Sequence, residues 1–524
     1  MASESFETAG AVGLSATQIA RAIFFGELSS REVVEAHIRR IEAVNPRLNA
    51  VVVPLFESAR AEAEAADRAR REGRPLGALH GVPLTVKESF EVEGTAATLG
   101  IAQRAACVAT ADGFLVSRLR QAGAVLLGKT NVSQMLLGNE SDNPLYGRTK
   151  NPWNPERSPG GSSGGEGAII AAGGSPLGFG SDIGGSVRLP AHACGIHALK
   201  PTAGRLTMKG HAELYSGQEA ILAQPGPLAR SVADLSLAFD VLNAPGQEAV
   251  EPSIPYVALG DPAKVSLENM RVAVYEDNGF MAAAPALRRA TREAAAALRG
   301  LGAEVEEWTP PGVPEAMRIY FGLLLADGMA STRRALRHSA RDKNISAALF
   351  IGAFPRGLVS AIWPRLLPLA GQRRLGEMMR SMGRLSADGY WKLVSERTRY
   401  RERFRRALDA GNFDAIVCPP DALPALTHGS GWHLADALSY AALYNLTGMP
   451  AGVVAATRVR RGEESDRPES RDMVERRARS VEADSEGLPV GVQVVARHWR
   501  EDIVLAVMAA LETHFRAQTD YPRL

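Results

Sequence analysis

Cysteine is scarce. Cys107, Cys194 and Cys418 are the whole complement in 524 residues, they lie far apart, and no metal-ligand spacing forms among them. This argues against a disulfide framework or a cysteine metal site and favours buried free thiols in a reducing compartment. Net charge is also small, +2 with 23% charged residues, so no nucleic-acid partner is expected. The opening stretch MASESFETAGAVG lacks the basic and apolar regions of a secretory signal, and a cytoplasmic rather than secreted location follows as the expectation. Unbroken apolar runs are missing too. Residues 345–370 contain no acid and only Arg356 and Arg365 as charges, but Pro355, Pro364 and Pro368 should break them into pieces too short to span a bilayer. Two readings of that segment stay open. It is buried core, or it is a pair of short helices whose apolar face, with Phe354, Trp363, Leu366 and Leu367, lies in a membrane interface beside Arg365, Arg373 and Arg374.

Glycine, in contrast, is concentrated in one place. Residues 158–190, SPGGSSGGEGAIIAAGGSPLGFGSDIGGSVRLP, carry eleven glycines between Gly160 and Gly185, together with Ser162, Ser163, Asp182, Ser186 and Arg188. Each glycine loses more backbone entropy on folding than another residue would, so something must require that backbone. The functional candidates are close approach to a ligand and a row of N–H donors aimed at developing negative charge.

Around this stretch the chain reads as an α/β protein. Capping-box pairs Ser15/Gln18 and Ser29/Glu32 open two helices, and FESARAEAEAADRARRE predicts an exposed amphipathic third over 56–72. HGVPLTVKESF predicts a turn at Gly81 and Pro83 and a short apolar strand that delivers Lys87. An isolated lysine there would ordinarily reach the surface or pair with Glu88. Strands near 271–275 and 414–418 alternate with helices near 284–300 and 390–410, which argues for helices on both faces of a sheet. The charged residues 457–487 lie between the strand-like runs PAGVVA and LPVGVQVVA and show no apolar period, so they are expected to be a solvated, mobile excursion between neighbouring strands.

Three literal motif matches fail on context. GAVLLGKT fits a P-loop pattern, but Ala-Val-Leu-Leu is an apolar strand where a phosphate cradle needs an exposed loop. Ser163 sits in G-x-S-x-G without the strand-to-helix elbow, and Ser141-Asp142-Asn143 has no S-x-x-K partner. A serine nucleophile still needs a base. His80, His192 and His197 have no obvious carboxylate partner by chain order. Lysine is the other option, because desolvation can lower the pKa of a buried lysine by about 3 to 5 from about 10.4.

GGSSGGEGAIIAAGGSPLGFGSDIGGSVRLPA with HGVPLTVKESF upstream resembles the amidase signature family of Ser-cisSer-Lys amide hydrolases. NPLYGRTKNPW, CGIHALKPTAGRL, LYNLTGMPAGVV and GLPVGVQVVA extend the resemblance over most of the chain in the family's order. SPGGSSGGEGA and GGSPLG look most like the fatty acid amide hydrolase branch. The resemblance implies a central twisted mixed β-sheet covered by helices on both faces, in a single amidase domain over 1–524 with its catalytic core at about 75–250. It implies Ser186 as nucleophile, Ser162 as bridging serine joined to Gly161 by a cis peptide, and Lys87 as base. Ile183, Gly184, Gly185 and Ser186 would supply oxyanion N–H groups; losing one such donor typically costs about 10²- to 10³-fold in rate. Gly161, Ser163, Asp182 and Arg188 would hold the loop.

The same resemblance aligns Met135, Leu136, Leu324 and Leu325 with an acyl-binding region, and 345–370, including Trp363, with a membrane-docking cap that admits lipid. A lipid or other small-molecule amide is the implied partner, with peripheral membrane contact, no metal and no cofactor; a homodimer is an open expectation. The chain departs from the mammalian-type pattern in lacking an N-terminal membrane span, and 457–487 has no implied role. Small-amide, aryl-amide and carbamate hydrolases share the triad and remain the alternative, with an amidotransferase A-type subunit behind them.

Overall fold

A computed structural model describes residues 10–212 and 217–523; the acidic stretch ahead of Gly10, on which the location reading partly rests, lies outside them. Both capping boxes are formed, at Ser15 for helix Ala16–Phe25 and at Ser29 for helix Ser30–Leu48. Helix Phe56–Arg71 buries Ala59, Ala63 and Ala66, one face at helical spacing, and leaves its charged face outside.

The core is one mixed sheet of eleven strands. In chain order the strands are β1 (Val51–Pro54), β2 (Pro83–Lys87), β3 (Val125–Thr130), a small separate hairpin of β4 (Asp142–Asn143) and β5 (Gly147–Arg148), β6 (Leu177–Asp182), β7 (His197–Lys200), β8 (Gln224–Ala229), β9 (Arg271–Val274), β10 (Glu304–Glu307), β11 (Ala415–Cys418), β12 (Ala451–Arg458) and β13 (Pro489–Ala496). Across the large sheet they run β1-β3-β2-β6-β8-β7-β12-β13-β11-β9-β10. β2 is parallel to both β3 and β6, while β12 pairs antiparallel with β7 and β13. Every residue of β2, β3, β6, β12 up to Thr457, and β13 is buried, as expected of strands covered on both faces. The parallel pairing of β2 with β6 brings their carboxyl ends together. That edge carries Lys87 and Asp182.

Two expectations about the irregular segments change. Residues 345–370 form helices Lys343–Gly352 and Arg356–Leu369. Pro355 separates them, but Pro364 and Pro368 lie inside the second helix without ending it. This helix is largely exposed, so the carbonyls of Ser360 and Pro364, which lose their i+4 N–H partners to the two prolines, are not sealed in the core. The excursion 457–487 does join neighbouring antiparallel strands, β12 and β13, but it is not merely solvated chain. It contains helix Met473–Glu482, which buries Val474, Ala478 and Val481. Their i, i+4, i+7 spacing is the apolar period that surrounding charge had hidden. Arg467 ties this helix down by ion pairs to Glu475 (2.8 Å) and Glu482 (2.9 Å). Cys194 and Cys418 are buried free thiols, whereas Cys107 is exposed, contrary to expectation.

Candidate active site

Lys87 ends β2 with no solvent exposure. It neither snorkels nor pairs with Glu88, whose carboxylate instead accepts from Thr98 and from the Leu99 N–H (3.0 Å). The Lys87 Nζ lies 2.7 Å from Ser162 Oγ, 3.0 Å from Ser181 Oγ and 3.2 Å from the Ser181 carbonyl. Burial pushes the ammonium down to about 7, against the pull of the Asp182, Glu166 and Glu88 carboxylates. A large fraction is therefore free base near neutral pH, which is what a proton acceptor requires. Lys129, the lysine of the P-loop-like string, lies within β3 and donates to the Ala96 carbonyl at 2.7 Å. No phosphate cradle forms there.

The Gly161–Ser162 peptide is cis. Ser163, one residue on, is the N-cap of helix Gly164–Ala171, and its buried hydroxyl has no hydrogen-bond partner among the described residues. It lies outside the wall of the cavity described below, whereas Ser162, Ser181, Ile183, Gly184 and Ser186 are all in it.

The turn after β6 is held from below. Asp182 accepts from the Gly185 N–H (2.7 Å), from Arg188 Nε and Nη2 (3.0 Å each) and from Asn445 Nδ2 (2.9 Å). Arg188 also donates to Gln493 Oε1 at 2.7 Å and to the Ala441 carbonyl at 2.9 Å. Despite burial, the adjoining Arg188 charge holds Asp182 well below the usual carboxylate range. Both residues therefore fasten the loop. One expectation is corrected here: the Gly185 N–H is already committed to Asp182, leaving Ile183, Gly184 and Ser186 as the oxyanion donors to consider. Gly185 has φ of 110°, which favours glycine. Gly184 is needed for space, since a Cβ there would sit 2.2 Å from Tyr320 Oη.

These groups open onto a cavity of about 1580 Å³. Met135, Leu136, Leu324 and Leu325 are in its wall, joined by Tyr320, Phe321, Met378, Met379 and Met382. Trp363 is not among the lining residues; it is 45% exposed on helix Arg356–Leu369. Sequence reasoning overlooked Met473, Val474, Arg476, Arg477 and Ser480 of the helix in the charged excursion, which line the same cavity. It also overlooked His211, which lies in the wall. His80, His192 and His197 find other partners: the first two are hydrogen-bonded to the Ala66 and Leu423 carbonyls, the third faces Glu512 at 3.3 Å. Among the described residues no cluster of metal-ligating side chains occurs.

The family model Amidase matches residues 32–505. Fatty-acid amide hydrolase 1 of Sus scrofa is 33% identical over 506 residues, covering 96% of this chain and 86% of that protein. Indoleacetamide hydrolase of Bradyrhizobium diazoefficiens is 30% identical, covering 95% of this chain and 86% of its own. A solved fatty acid amide hydrolase superposes with a TM-score of 0.85 at 27% identity, over 96% of this chain and 85% of the other. The chain belongs to the amidase signature family, hydrolases of amides.

Proposed function

We propose that the chain hydrolyses long-chain N-acyl amides to acid and amine through an acyl-enzyme on Ser186. The neutral Lys87 amine draws a proton through Ser162 from the Ser186 hydroxyl, which attacks the amide carbonyl. The oxyanion that develops faces the N–H groups of Ile183, Gly184 and Ser186. On collapse, the proton returns through Ser162 to the leaving amine, and water then cleaves the ester. Coupling the base to the leaving group matters because an amide nitrogen leaves only once protonated.

The observation that carries the lipid reading is the cavity, whose apolar wall extends from Ser186 to Met135, Leu325, Met378 and Met382. Burying an acyl chain there offers about 0.8 kcal/mol per CH₂. For a series of N-acyl amides, kcat/KM should therefore rise about tenfold per two carbons until the channel is full. A series that peaks at acetyl or aryl-acetyl amides would overturn the lipid reading in favour of a small-amide hydrolase. That second reading is favoured by one finding, the 30% identity to an indoleacetamide hydrolase.

Delivery from a membrane surface belongs to the same proposal. Helices Lys343–Gly352 and Arg356–Leu369 expose Phe350 (70%), Leu358 (50%), Trp363 (45%), Leu366 (53%) and Leu369 (85%). Arg365 and Arg373 flank them. Ala348 and Ile351 of the first helix also line the cavity, so the segment that offers apolar surface to a bilayer borders the binding space.

A further inference from the structure

Behind Lys87 lies a row of polar groups with no part in the cycle above. Ser181 Oγ, 3.0 Å from Lys87 Nζ, is also 2.9 Å from His211 Nε2. The same nitrogen lies 2.8 Å from Ser89 Oγ. All of these side chains are buried. The His211 ring is steadied by an edge-on contact with Phe90, centroids 4.9 Å apart.

We propose that His211 is a positioning residue: by accepting the Ser181 hydroxyl proton at Nε2, it keeps the Lys87 lone pair aimed at Ser162. The inference rests on the assignment of Lys87 as base. A neutral amine has two N–H donors and one lone pair, and around Lys87 it meets three oxygens. The Ser181 carbonyl can only accept, so it takes one N–H. The other N–H and the lone pair are then divided between the Ser162 and Ser181 hydroxyls. If Ser181 points its O–H at His211, its oxygen accepts the second N–H of Lys87 and the lone pair is left for the Ser162 proton. If Ser181 turns its O–H to Lys87 instead, the lone pair is occupied and Ser162 receives an N–H from which nothing can be abstracted. Only the first arrangement is productive, and a lone pair on His211 Nε2 selects it.

The surroundings support that state of the ring. Burial, with the Lys87 charge adding to it, pushes His211 down to about 3, so the imidazole is neutral at working pH. Nδ1 makes no hydrogen bond of ordinary geometry. The proposed arrangement places the ring N–H at Nδ1 and the lone pair at Nε2, where the Ser89 and Ser181 hydroxyls converge. His211 transfers no proton in this role.

Kinetics of five variants on one amide substrate test the inference. His211→Leu should lower kcat about 10- to 100-fold, the cost of a misdirected hydrogen bond, with KM within about twofold. His211→Gln, whose amide oxygen reaches the place of Nε2, should retain most of the wild-type kcat. In a Ser181→Ala background no hydroxyl competes for the lone pair, so adding His211→Leu should cost less than about threefold. An equal loss with and without the Ser181 hydroxyl, or a Gln variant as impaired as Leu, overturns the positioning role. Lys87→Ala separates this outcome from failure of the base assignment. Retained turnover there overturns both; an inactive Lys87→Ala beside a wild-type-like His211→Leu overturns the positioning role alone.

Discussion

Lys87 shows how one side chain changes meaning with its surroundings. At the end of an apolar strand it is ordinarily a snorkelling cation; enclosed beside Ser162 and Ser181 it is an amine held at about 7, as the proposed base requires. Its protonated form cannot accept a proton, so amide kcat/KM should rise with pH through about 7 and fall about tenfold per unit below it. A pH–rate profile flat from about pH 5 to 8 would count against Lys87 as the base. Lys87→Arg, permanently charged, should be inactive across the range.

The glycines of 158–190 also change meaning at this scale. Ligand approach and oxyanion donors were the expected reasons for them, yet several instead make room for the protein itself. A Cβ at Gly178 would meet Glu166 Oε2 at 1.9 Å, and one at Gly165 would meet the Asn131 backbone nitrogen at 2.4 Å. At Gly184 the obstacle is a single hydroxyl, Tyr320 Oη at 2.2 Å, with the ring carbon behind it at an ordinary 3.4 Å. Gly184→Ala should therefore cost activity, and Tyr320→Phe in the same chain should restore a substantial part of it. If the double variant turns over no faster than Gly184→Ala alone, the steric account of that glycine is wrong.

Among the elements, the two segments that departed from expectation both border the cavity. The helix in the charged excursion was hidden because Val474, Ala478 and Val481 are outnumbered by arginines and glutamates that pair with other elements, as Arg374 and Arg467 do with Glu475. The proline-bearing helix Arg356–Leu369 was expected to be cut at Pro364 and Pro368; its continuity through both follows from its exposure rather than from its composition. Its apolar face yields a prediction at this scale. Trp363→Asp with Leu366→Asp should weaken co-sedimentation with liposomes and raise KM for bilayer-borne amides, while leaving turnover of a short soluble amide unchanged. Equal liposome binding by the double variant and the parent would sink the docking role.

For the whole molecule, three buried lysines tie stability to pH. Burial pushes Lys87 and Lys200 down to about 7 and Lys129 to about 8, whereas in the unfolded chain each returns to about 10.4. Between about pH 8 and 10 the unfolded state therefore binds more protons than the folded one, and stability rises with pH. Below that window Glu166, pushed up to about 8 by burial, acts in the opposite direction, because the folded state then holds the extra proton. The melting temperature should accordingly climb from about pH 8 to 9.5. Lys200→Met should flatten that slope without touching the Lys87 cluster. A melting temperature that drops over the same interval would contradict the account.

By itself, the sequence determined the α/β class, both capped opening helices, and the glycine-rich turn segment, since residues 160–188 are contiguous and their turn chemistry is encoded locally. The motif also named Lys87, although 75 residues separate it from Ser162. Tertiary structure decided what no local pattern could carry. Parallel pairing of β2 with β6 brings Lys87 to Ser162 and Ser181, and long-range packing sets His211 behind them. The cavity draws its wall from Met135 to Ser480. A lysine's pKa, a glycine's clearance and the space open to an acyl chain all depend on neighbours distant in sequence, so only the folded chain determines them.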